Sequence, residues 1–299
     1  MRIAYYPGCS LHSTAIEYDM SAKAVCEALG IELVELEDWN CCGATAVHAV
    51  DHLLSIALSA RNLAIAEKAG LDLSAPCSAC FHNLANTNKL LKEDAELRDT
   101  MEKVMEDTGL NYGGGIEVKH LLDVMVNGVG YEKIAESVVK PLKGLKVAPY
   151  YGCLIVKPST VANFDSQERP QTLDHLIETL GAECVPYHHK TECCGGSLTL
   201  IQEEVASKMT MDLLLGAKEA GADCVITTCP ACLMNLDVKQ SNIELNFDVE
   251  IGMPVLYFTQ LMGLAFGIDS DTLGFDKNFV DTSKVLEALS TTVELVGGK

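Results

Sequence analysis

Ten of the thirteen cysteines in this 299-residue chain fall into two copies of one spacing pattern. Each copy has a single cysteine, then a Cys-Cys-Gly triplet, then a Cys-x-x-Cys motif. The two copies are Cys9, Cys41-Cys42-Gly43 and Cys77-x-x-Cys80, and then Cys153, Cys193-Cys194-Gly195 and Cys229-x-x-Cys232. Because thiolates bind zinc and iron–sulfur centres, the pattern predicts metal or redox chemistry at two places in the molecule.

The residues around the cysteines repeat as well. The segment Tyr5-Tyr6-Pro7-Gly8-Cys9 matches Tyr150-Tyr151-Gly152-Cys153, apart from the proline. The sequence Cys-Phe-His-Asn-Leu that begins at Cys80 matches the sequence Cys-Leu-Met-Asn-Leu that begins at Cys232. The interval from the first cysteine to the triplet is 40 residues in the second copy, against 32 in the first. The chain is therefore interpreted as an internal duplication with one longer segment.

Five cysteines per copy exceed what one zinc ion can bind, because structural zinc takes four ligands in a tetrahedron. A regular cubane iron–sulfur cluster also takes four cysteines, and its tight C-x₂-C-x₂-C-x₃-C-P run is absent from the sequence. Five thiolates therefore favour a larger or irregular iron–sulfur centre, with zinc and a dithiol redox relay as alternatives. The remaining cysteines, Cys26, Cys184 and Cys224, are predicted to be small buried hydrophobic residues.

The elements that must position these cysteines are strands and helices in alternation. Short apolar runs predict strands at Arg2–Tyr6, Ile31–Leu36, Leu71–Ala75, Lys146–Tyr150, Glu183–Pro186, Asp223–Thr227 and Pro254–Phe258. Helical spacing predicts helices at Thr14–Leu29, Ala44–Ala69, Ala79–Leu91, Gln171–Leu180, Leu198–Ala220, Ala231–Lys239 and Thr259–Phe266. This alternation is typical of an α/β fold with mainly parallel sheets flanked by helices, in which ligands bind at the carboxyl ends of the strands.

The repeat divides the chain into two tandem pseudo-symmetric domains, residues 1–142 and 143–299. The segment Lys140–Lys146 is the predicted linker, and Asn111–Gly115 is a predicted loop. The polar tail from Asp269 onward is expected to lie on the surface. In both halves the cysteines follow strands and begin helices, whose N-termini present N–H groups to anionic sulfur.

Composition limits the possible partners and the cellular compartment. The formal net charge of −20 disfavours nucleic acid and anionic membrane surfaces, because both are negatively charged. The longest nearly apolar stretch, Ile251–Ile268, is interrupted by polar residues, glycine and proline, so no membrane span is predicted. The N-terminus lacks the features of an export signal, and the expected location is the cytoplasm, where thiols stay reduced.

The doubled motif resembles the cysteine-rich CCG-domain family, and within it the family of heterodisulfide reductase B subunits. The resemblance extends from Met1 to Phe266. It implies two noncubane [4Fe–4S] clusters that face each other across a pseudo-two-fold axis. The implied ligands of the first cluster are Cys9, Cys41, Cys42, Cys77 and Cys80, and those of the second are Cys153, Cys193, Cys194, Cys229 and Cys232.

The resemblance also implies a reaction and a set of partners. The reaction is reduction of the small-molecule disulfide of coenzyme M and coenzyme B to two thiols, with one sulfur of the substrate presented to each cluster. The implied partners are two further subunits of the same complex, one ferredoxin-like and one flavin-bearing, supplied with electrons by hydrogenase or formate dehydrogenase. The alternatives are an electron-transfer subunit of a glycolate or lactate oxidation complex, and a structural zinc protein without catalysis.

An acidic chain that binds an anionic substrate needs local cations or proton donors. The basic candidates near the motifs are His12, Lys157, Arg169, His188, His189 and Lys190. Arg169 lies in or near the longer interval of the second copy, and guanidinium and ammonium groups suit sulfonate and phosphate. His12 follows Cys9 by three residues and is a candidate proton donor to a departing thiolate.

Overall fold

The computed structural model describes residues 1–44 and 46–287, and within them the chain forms two four-stranded parallel sheets. The first sheet has the strand order β2-β1-β3-β4 and the second has the matching order β6-β5-β7-β8. The strands are β1 (Arg2–Tyr5), β2 (Glu32–Glu35), β3 (Leu73–Ala75), β4 (Val118–His120), β5 (Lys146–Tyr150), β6 (Glu183–Cys184), β7 (Cys224–Thr227) and β8 (Val255–Tyr257). The predicted tandem α/β architecture is confirmed.

Helices follow the strands and connect them in parallel. They are α1 (Gly8–Leu11), α2 (Ile16–Leu29), α3 (Ala46–Val50), α4 (His52–Lys68), α5 (Ser78–Glu93), α6 (Ala95–Met105), α7 (Leu121–Asp123), α8 (Tyr131–Glu136), α9 (Thr172–Thr179), α10 (Glu203–Glu219), α11 (Pro230–Leu233), α12 (Gln240–Phe247) and α13 (Phe258–Ala265). Two π-helical segments, Val124–Val129 and Met234–Val238, and two 3₁₀ turns, Glu106–Thr108 and Phe275–Lys277, complete the described elements. No helix within residues 1–44 and 46–287 is both long and apolar enough to cross a bilayer.

The two halves pack against each other through α2 of the first and α13 of the second. The ring of Tyr18 stacks on the ring of Tyr257 with 3.9 Å between centroids. The hydroxyls of Ser21 and Thr259 are 2.7 Å apart, and all four side chains are fully buried. A buried aromatic pair adds about 0.5–1.5 kcal/mol beyond the area it buries, so this contact fixes one half against the other.

The strand β4 was not predicted from the sequence. It has only three residues, Val118, Lys119 and His120, and its central lysine is exposed, so it presents no apolar run. It nevertheless pairs with β3 in parallel, with His120 opposite Ala75. The first half therefore has the same four strands as the second, for which a fourth strand was predicted at Pro254–Phe258.

Three predicted helices differ from those observed. The segment Ala44–Ala69, predicted as one helix, contains the two helices α3 and α4. Asp51 separates them, because its carboxylate accepts a hydrogen bond from Leu54 N and caps the N-terminus of α4. The helix predicted at Leu198–Ala220 begins only at Glu203, after a series of turns. The helix predicted at Ala231–Lys239 is a short α-helix followed by the π-helical segment.

The longer interval of the second copy is a loop between Cys153 and α9 that contains a cis Lys157–Pro158 peptide. Part of the tail that was expected on the surface is buried, since Leu273 and Phe275 are almost fully enclosed. Residues 288–299 of that tail lie outside the described residues. The domain boundary at residues 142–143 falls between β4 and β5 and stays a prediction.

Two buried carboxyl groups near this tail should make the free energy of unfolding depend on pH. Burial raises the pKa of Glu17 to about 7, with nearby Asp237 adding to the shift, and burial raises the pKa of Asp237 to about 6. Backbone N–H groups of Phe279 and Val280 donate to Asp237. A raised folded-state pKa stabilises the protein fully below the unfolded pKa, and this contribution is lost as the pH rises through the folded value.

The free energy of unfolding is therefore expected to fall between pH 4.5 and pH 7, by up to about 3 kcal/mol for Glu17. Chemical denaturation at several pH values measures this slope. Glu17→Gln should reduce it, whereas Glu27→Gln, an exposed glutamate on the same helix, should leave it unchanged. An equal slope in the wild-type protein and in Glu17→Gln would contradict the prediction.

Candidate metal centres

The cysteines of each copy lie at the carboxyl ends of strands. In the first half Cys9 lies in α1 just after β1, Cys41 and Cys42 lie in the loop after β2, and Cys77 is the N-cap of α5 after β3. We call Cys9, Cys41, Cys42, Cys77 and Cys80 the first cysteine group, and Cys153, Cys193, Cys194, Cys229 and Cys232 the second cysteine group. Since all strands are parallel, each group occupies one edge of its sheet.

Sulfur atoms are in contact within both groups. The Sγ atoms of Cys42 and Cys80 are 3.3 Å apart, and those of Cys194 and Cys232 are 3.5 Å apart. The backbone N–H of Gly43 donates to Cys41 Sγ at 3.4 Å, and Gly195 repeats this bond to Cys193 Sγ at 3.3 Å. The two groups therefore have the same local geometry as well as the same spacing in sequence.

A matched pair of side-chain clamps holds each double cysteine. In the first half the carbonyl of Cys42 accepts hydrogen bonds from Asn83 Nδ2 and, at 2.9 Å, from Ser59 Oγ. In the second half the carbonyl of Cys194 accepts from Asn235 Nδ2 at 2.8 Å and from Thr210 Oγ1 at 3.1 Å. These buried bonds hold each triplet against the helical segment that carries the asparagine and against α4 in the first half or α10 in the second.

A tyrosine three residues before the first cysteine of each group makes the same kind of hydrogen bond in both halves. The hydroxyl of Tyr6 donates to Asn40 O at 2.9 Å, and that of Tyr150 donates to Glu192 O at 2.8 Å. The structure thus makes Tyr6 equivalent to Tyr150, whereas the match between the two segments in sequence pairs Tyr5-Tyr6 with Tyr150-Tyr151. When the two segments are aligned on Cys9 and Cys153 without a gap, Pro7 lies opposite Tyr151 and Tyr6 lies opposite Tyr150. The proline therefore replaces a tyrosine and is not an insertion.

A glycine before each first cysteine leaves room for sulfur. Gly8 and Gly152 have left-handed backbones, with φ of +67° and +70°. A Cβ atom on Gly8 would lie 3.3 Å from Cys80 Sγ, and one on Gly152 would lie 3.2 Å from Cys232 Sγ. Only glycine combines this backbone conformation with such close approach at low energy.

Crowding of the thiols shifts their pKa values in opposite directions. Hydrogen bonds from Cys41 and Cys80 lower the pKa of Cys42 to about 4, and those from Cys153 and Cys194 lower the pKa of Cys193 to about 2. The hydrogen bond that Cys80 makes to Cys42, together with burial, raises the pKa of Cys80. The thiols of each group thus differ in acidity, and binding of a metal centre by all five sulfurs would release protons.

The two cysteine groups approach each other at Cys77 and Cys229, which are both buried. The Cys77 thiol helps to lower the pKa of Cys229, after the larger effect of Cys232, and the neighbouring hydroxyls of Ser78 and Thr228 are 3.2 Å apart. The hydroxyl of Tyr18 lies between the carbonyls of the two residues before these cysteines, 3.1 Å from Pro76 O and 3.2 Å from Thr228 O. One side chain therefore connects the two segments that carry Cys77 and Cys229.

The donor set fits a sulfur-ligated metal centre. In each group five thiols gather around a glycine cradle, with one thiol already acidic and with N–H donors directed at sulfur. Among the described residues, no three Cys, His, Asp or Glu side chains converge in the manner of a preformed single-ion site. The cysteines would hold such a centre through sulfur from three separate strand ends.

The basic candidates have mixed locations. His12 Nε2 lies 3.1 Å from Glu35 Oε1, and its ring packs edge-on to Trp39. Lys157 Nζ donates to Thr191 Oγ1 at 3.2 Å, two residues before Cys193, so it lies close to the second cysteine group. The side chain of Arg169 is exposed on the loop before α9.

The three further basic candidates lie on the loop after β6. His189 Nδ1 lies 2.9 Å from Glu192 Oε2, and Lys190 forms an ion pair with Asp174. His188 is exposed. The carboxylate partners of His189 and Lys190 already satisfy part of their charge, so Lys157 is the best placed of the six to meet an anion beside the second cysteine group.

Sequence reasoning missed His82. It lies on α5 two residues after Cys80, and its ring reaches the backbone of Leu154, next to Cys153, in the other half. The sequence did mark this position. In the matched segments Cys-Phe-His-Asn and Cys-Leu-Met-Asn, the first half has a polar histidine where the second half has Met234.

Comparison with known proteins agrees with this geometry. A model of the cysteine-rich domain family, CCG, matches residues 3–85 and 147–237. The chain belongs to the cysteine-rich CCG-domain family. The two CCG matches cover nearly all of the first three strands of each sheet and include all ten cysteines, so the predicted family resemblance is confirmed.

Relatives of the CCG-domain chain cover almost its full length. It is 36% identical over 282 residues to the 8-methylmenaquinol:fumarate reductase membrane anchor subunit of Wolinella succinogenes, covering 94% of this chain and 98% of the relative. It is 30% identical over 300 residues to the B subunit of the ferredoxin:CoB-CoM heterodisulfide reductase of Methanosarcina mazei, covering 99% of each. A crystal structure of a hypothetical protein from Helicobacter pylori shares the fold, with a TM-score of 0.75 and 16% identity. That match covers 94% of this chain, which spans about half of the solved chain (52%).

Proposed function

We propose that this protein is the catalytic subunit of a disulfide reductase, which reduces the heterodisulfide of coenzyme M and coenzyme B to two thiols. The single observation that carries the proposal is the close approach of two equivalent cysteine groups, whose segments are joined by Tyr18 and by the Ser78–Thr228 hydroxyl contact at 3.2 Å. The similarity to a subunit named for CoB-CoM heterodisulfide reductase supports the choice of substrate.

Each cysteine group is proposed to hold a noncubane [4Fe–4S] cluster through its five cysteines. When bound, such a centre supplies electrons one at a time and an iron atom with affinity for thiolate sulfur. The chain itself keeps the inner side of each group dry, because Cys77, Cys80, Cys229 and Cys232 are buried. Cys9 and Cys41 are exposed, and Cys153 and Cys193 are half-buried, so a substrate would reach the groups from that side.

The proposed reaction consumes two electrons and two protons for each disulfide and yields two thiols. Two adjacent one-electron centres match the two sulfur atoms of the scissile bond. Electrons are proposed to come from the ferredoxin-like and flavin-bearing subunits of the same complex, and indirectly from hydrogenase or formate dehydrogenase. Lys157 is proposed to attract the anionic groups of the substrate. His12 is a weaker candidate because its ring is paired with Glu35, and Arg169 is weaker because its side chain is exposed on the loop before α9.

The proposal is tested by loading the protein with iron and sulfide without oxygen, reducing it, and measuring thiol release from the heterodisulfide. Cys42→Ala and Cys194→Ala should each lose half of the bound iron and sulfide and all of the thiol release. Cys26→Ala and Cys224→Ala, which change buried cysteines outside both groups, should keep both. Fully loaded protein that releases no thiol would end the proposal.

A second candidate function is supported by the 36% identity to a subunit of a fumarate reductase. In that case the two centres would relay electrons between partner subunits without disulfide chemistry. The same assay separates the two functions, because an electron relay would be loaded and redox-active but would leave the heterodisulfide intact.

A further inference from the structure

The turn of α5 that carries His82 also carries Cys80 of the first cysteine group. Cys80 precedes His82 by two residues, and Asn83, the next residue, donates to the carbonyl of Cys42. The imidazole is half-buried and lies against the backbone of Leu154, directly after Cys153, and beside His48. His82 therefore lies between the helical turn that carries Cys80 and the segment of the other half that carries Cys153.

One nitrogen of this ring has no partner. His82 Nδ1 is buried and makes no hydrogen bond among the residues that the structure describes. Three hydroxyl oxygens are likewise buried without a hydrogen-bond partner, those of Ser74, Thr227 and Tyr257. Unlike His82, these three residues are fully buried. The rest of the His82 ring is only partly buried, so this nitrogen lies at the margin of the enclosed interior, and a buried polar atom without a partner in a native structure calls for one.

The second half has no equivalent polar group. Met234 occupies the matching position, since Cys232 precedes it by two residues and Asn235, the next residue, donates to the carbonyl of Cys194. The pseudo-two-fold symmetry that relates the cysteines, the asparagines and the tyrosines is thus broken at this pair. A thioether offers apolar contact and almost no hydrogen bonding.

We propose that His82 is a substrate-positioning residue whose Nδ1 hydrogen bonds to the polar part of one half of an unsymmetrical disulfide, while Met234 contacts the aliphatic part of the other half. This inference rests on the proposed disulfide reductase function. Two equivalent cysteine groups could accept such a substrate in either of two directions. The His82–Met234 difference selects one direction, so that each thiol is always released at the same group.

The test uses the loaded protein and three probes, namely the coenzyme M–coenzyme B heterodisulfide and the two symmetrical disulfides of each coenzyme. His82→Met makes the two positions alike, His82→Asn keeps a polar group near the position of Nδ1, and His175→Met is the matched control on the exposed face of α9. Iron and sulfide content is measured for every variant, and disulfide binding to the oxidised protein is measured by calorimetry.

His82→Met is expected to raise both Kd and KM for the heterodisulfide about tenfold, the value of one hydrogen bond, with kcat nearly unchanged. It should also reduce the preference for the heterodisulfide over the symmetrical probes. His82→Asn should recover most of the affinity, and His175→Met should match the wild type. Unchanged Kd and KM in His82→Met would overturn the inference alone. Wild-type protein that neither binds nor reduces the heterodisulfide would overturn the proposed function and this inference with it.

Discussion

Gly8→Ala is expected to remove the metal centre of the first cysteine group and to spare the second, and Gly152→Ala is expected to do the reverse. A left-handed backbone costs a residue with a Cβ atom about 1–2 kcal/mol, and the new methyl group would lie 3.3 Å from Cys80 Sγ or 3.2 Å from Cys232 Sγ. The sulfur must move away from its place in the group. Iron and sulfide per chain should therefore fall by half in each variant.

Gly70 and Gly221 provide the matched controls. They also have left-handed backbones, with φ of +69° and +77°, but a Cβ atom on either would meet nothing within 4 Å. Gly70→Ala and Gly221→Ala should therefore lose a similar amount of stability from the backbone and keep both metal centres. Equal metal loss in all four variants would show that the sulfur contact does not matter.

The single tryptophan tells the two centres apart. Trp39 lies two residues before Cys41, and its ring is 5.5 Å from that of Tyr6. An iron–sulfur centre in the first cysteine group would absorb its emission. Fluorescence should therefore be quenched in loaded Gly152→Ala and restored in Gly8→Ala, and the opposite result would contradict the assignment of centres to groups.

Tyr18→Phe is expected to weaken both metal centres together. The hydroxyl of Tyr18 is the donor shared by Pro76 O and Thr228 O, which precede Cys77 and Cys229. Its removal leaves two buried carbonyls without this donor, which costs about 1–3 kcal/mol. Because the two cysteines belong to different groups, chelator titration should show faster iron loss from both centres rather than from one.

Tyr112→Phe is the control for this variant. Tyr112 is equally buried, and its hydroxyl donates to Asn88 Oδ1, remote in sequence from all ten cysteines. It should lower the unfolding free energy by a comparable amount without changing the rate of iron loss. If Tyr18→Phe released iron from one group only, the bridging role of this hydroxyl would be wrong.

The positions of the cysteines could be predicted because they depend on short-range features. Each one follows an apolar run or begins a helix, and parallel strands bring such positions to one edge of a sheet. The equivalence of Asn83 and Asn235 was likewise visible in the matched segments, although their shared role, the clamp on the carbonyl of Cys42 or Cys194, was not.

The features that could not be predicted depend on contacts between distant parts of the chain. Tyr18 meets Thr228 across 210 residues, and nothing in the helical pattern of α2 marks that tyrosine as a bridge. The strand β4 owes its pairing to β3 rather than to its own composition. The break at Asp51 was hidden because apolar residues continue on both sides of the capping carboxylate.

The separation of the two sheets has a consequence for biogenesis. In the proposed assignment the segments after β1, β2 and β3 provide all five sulfur donors of one centre and those after β5, β6 and β7 provide all five of the other, so neither half would need a ligand from the other half. Maturation can then begin on either side, and starved cells should accumulate half-matured intermediates of two kinds. Native mass spectrometry of protein made under limiting iron should show a species with half of the metal. The two kinds of intermediate have the same mass, and Trp39 fluorescence should distinguish them, because only the kind with a centre in the first cysteine group is quenched.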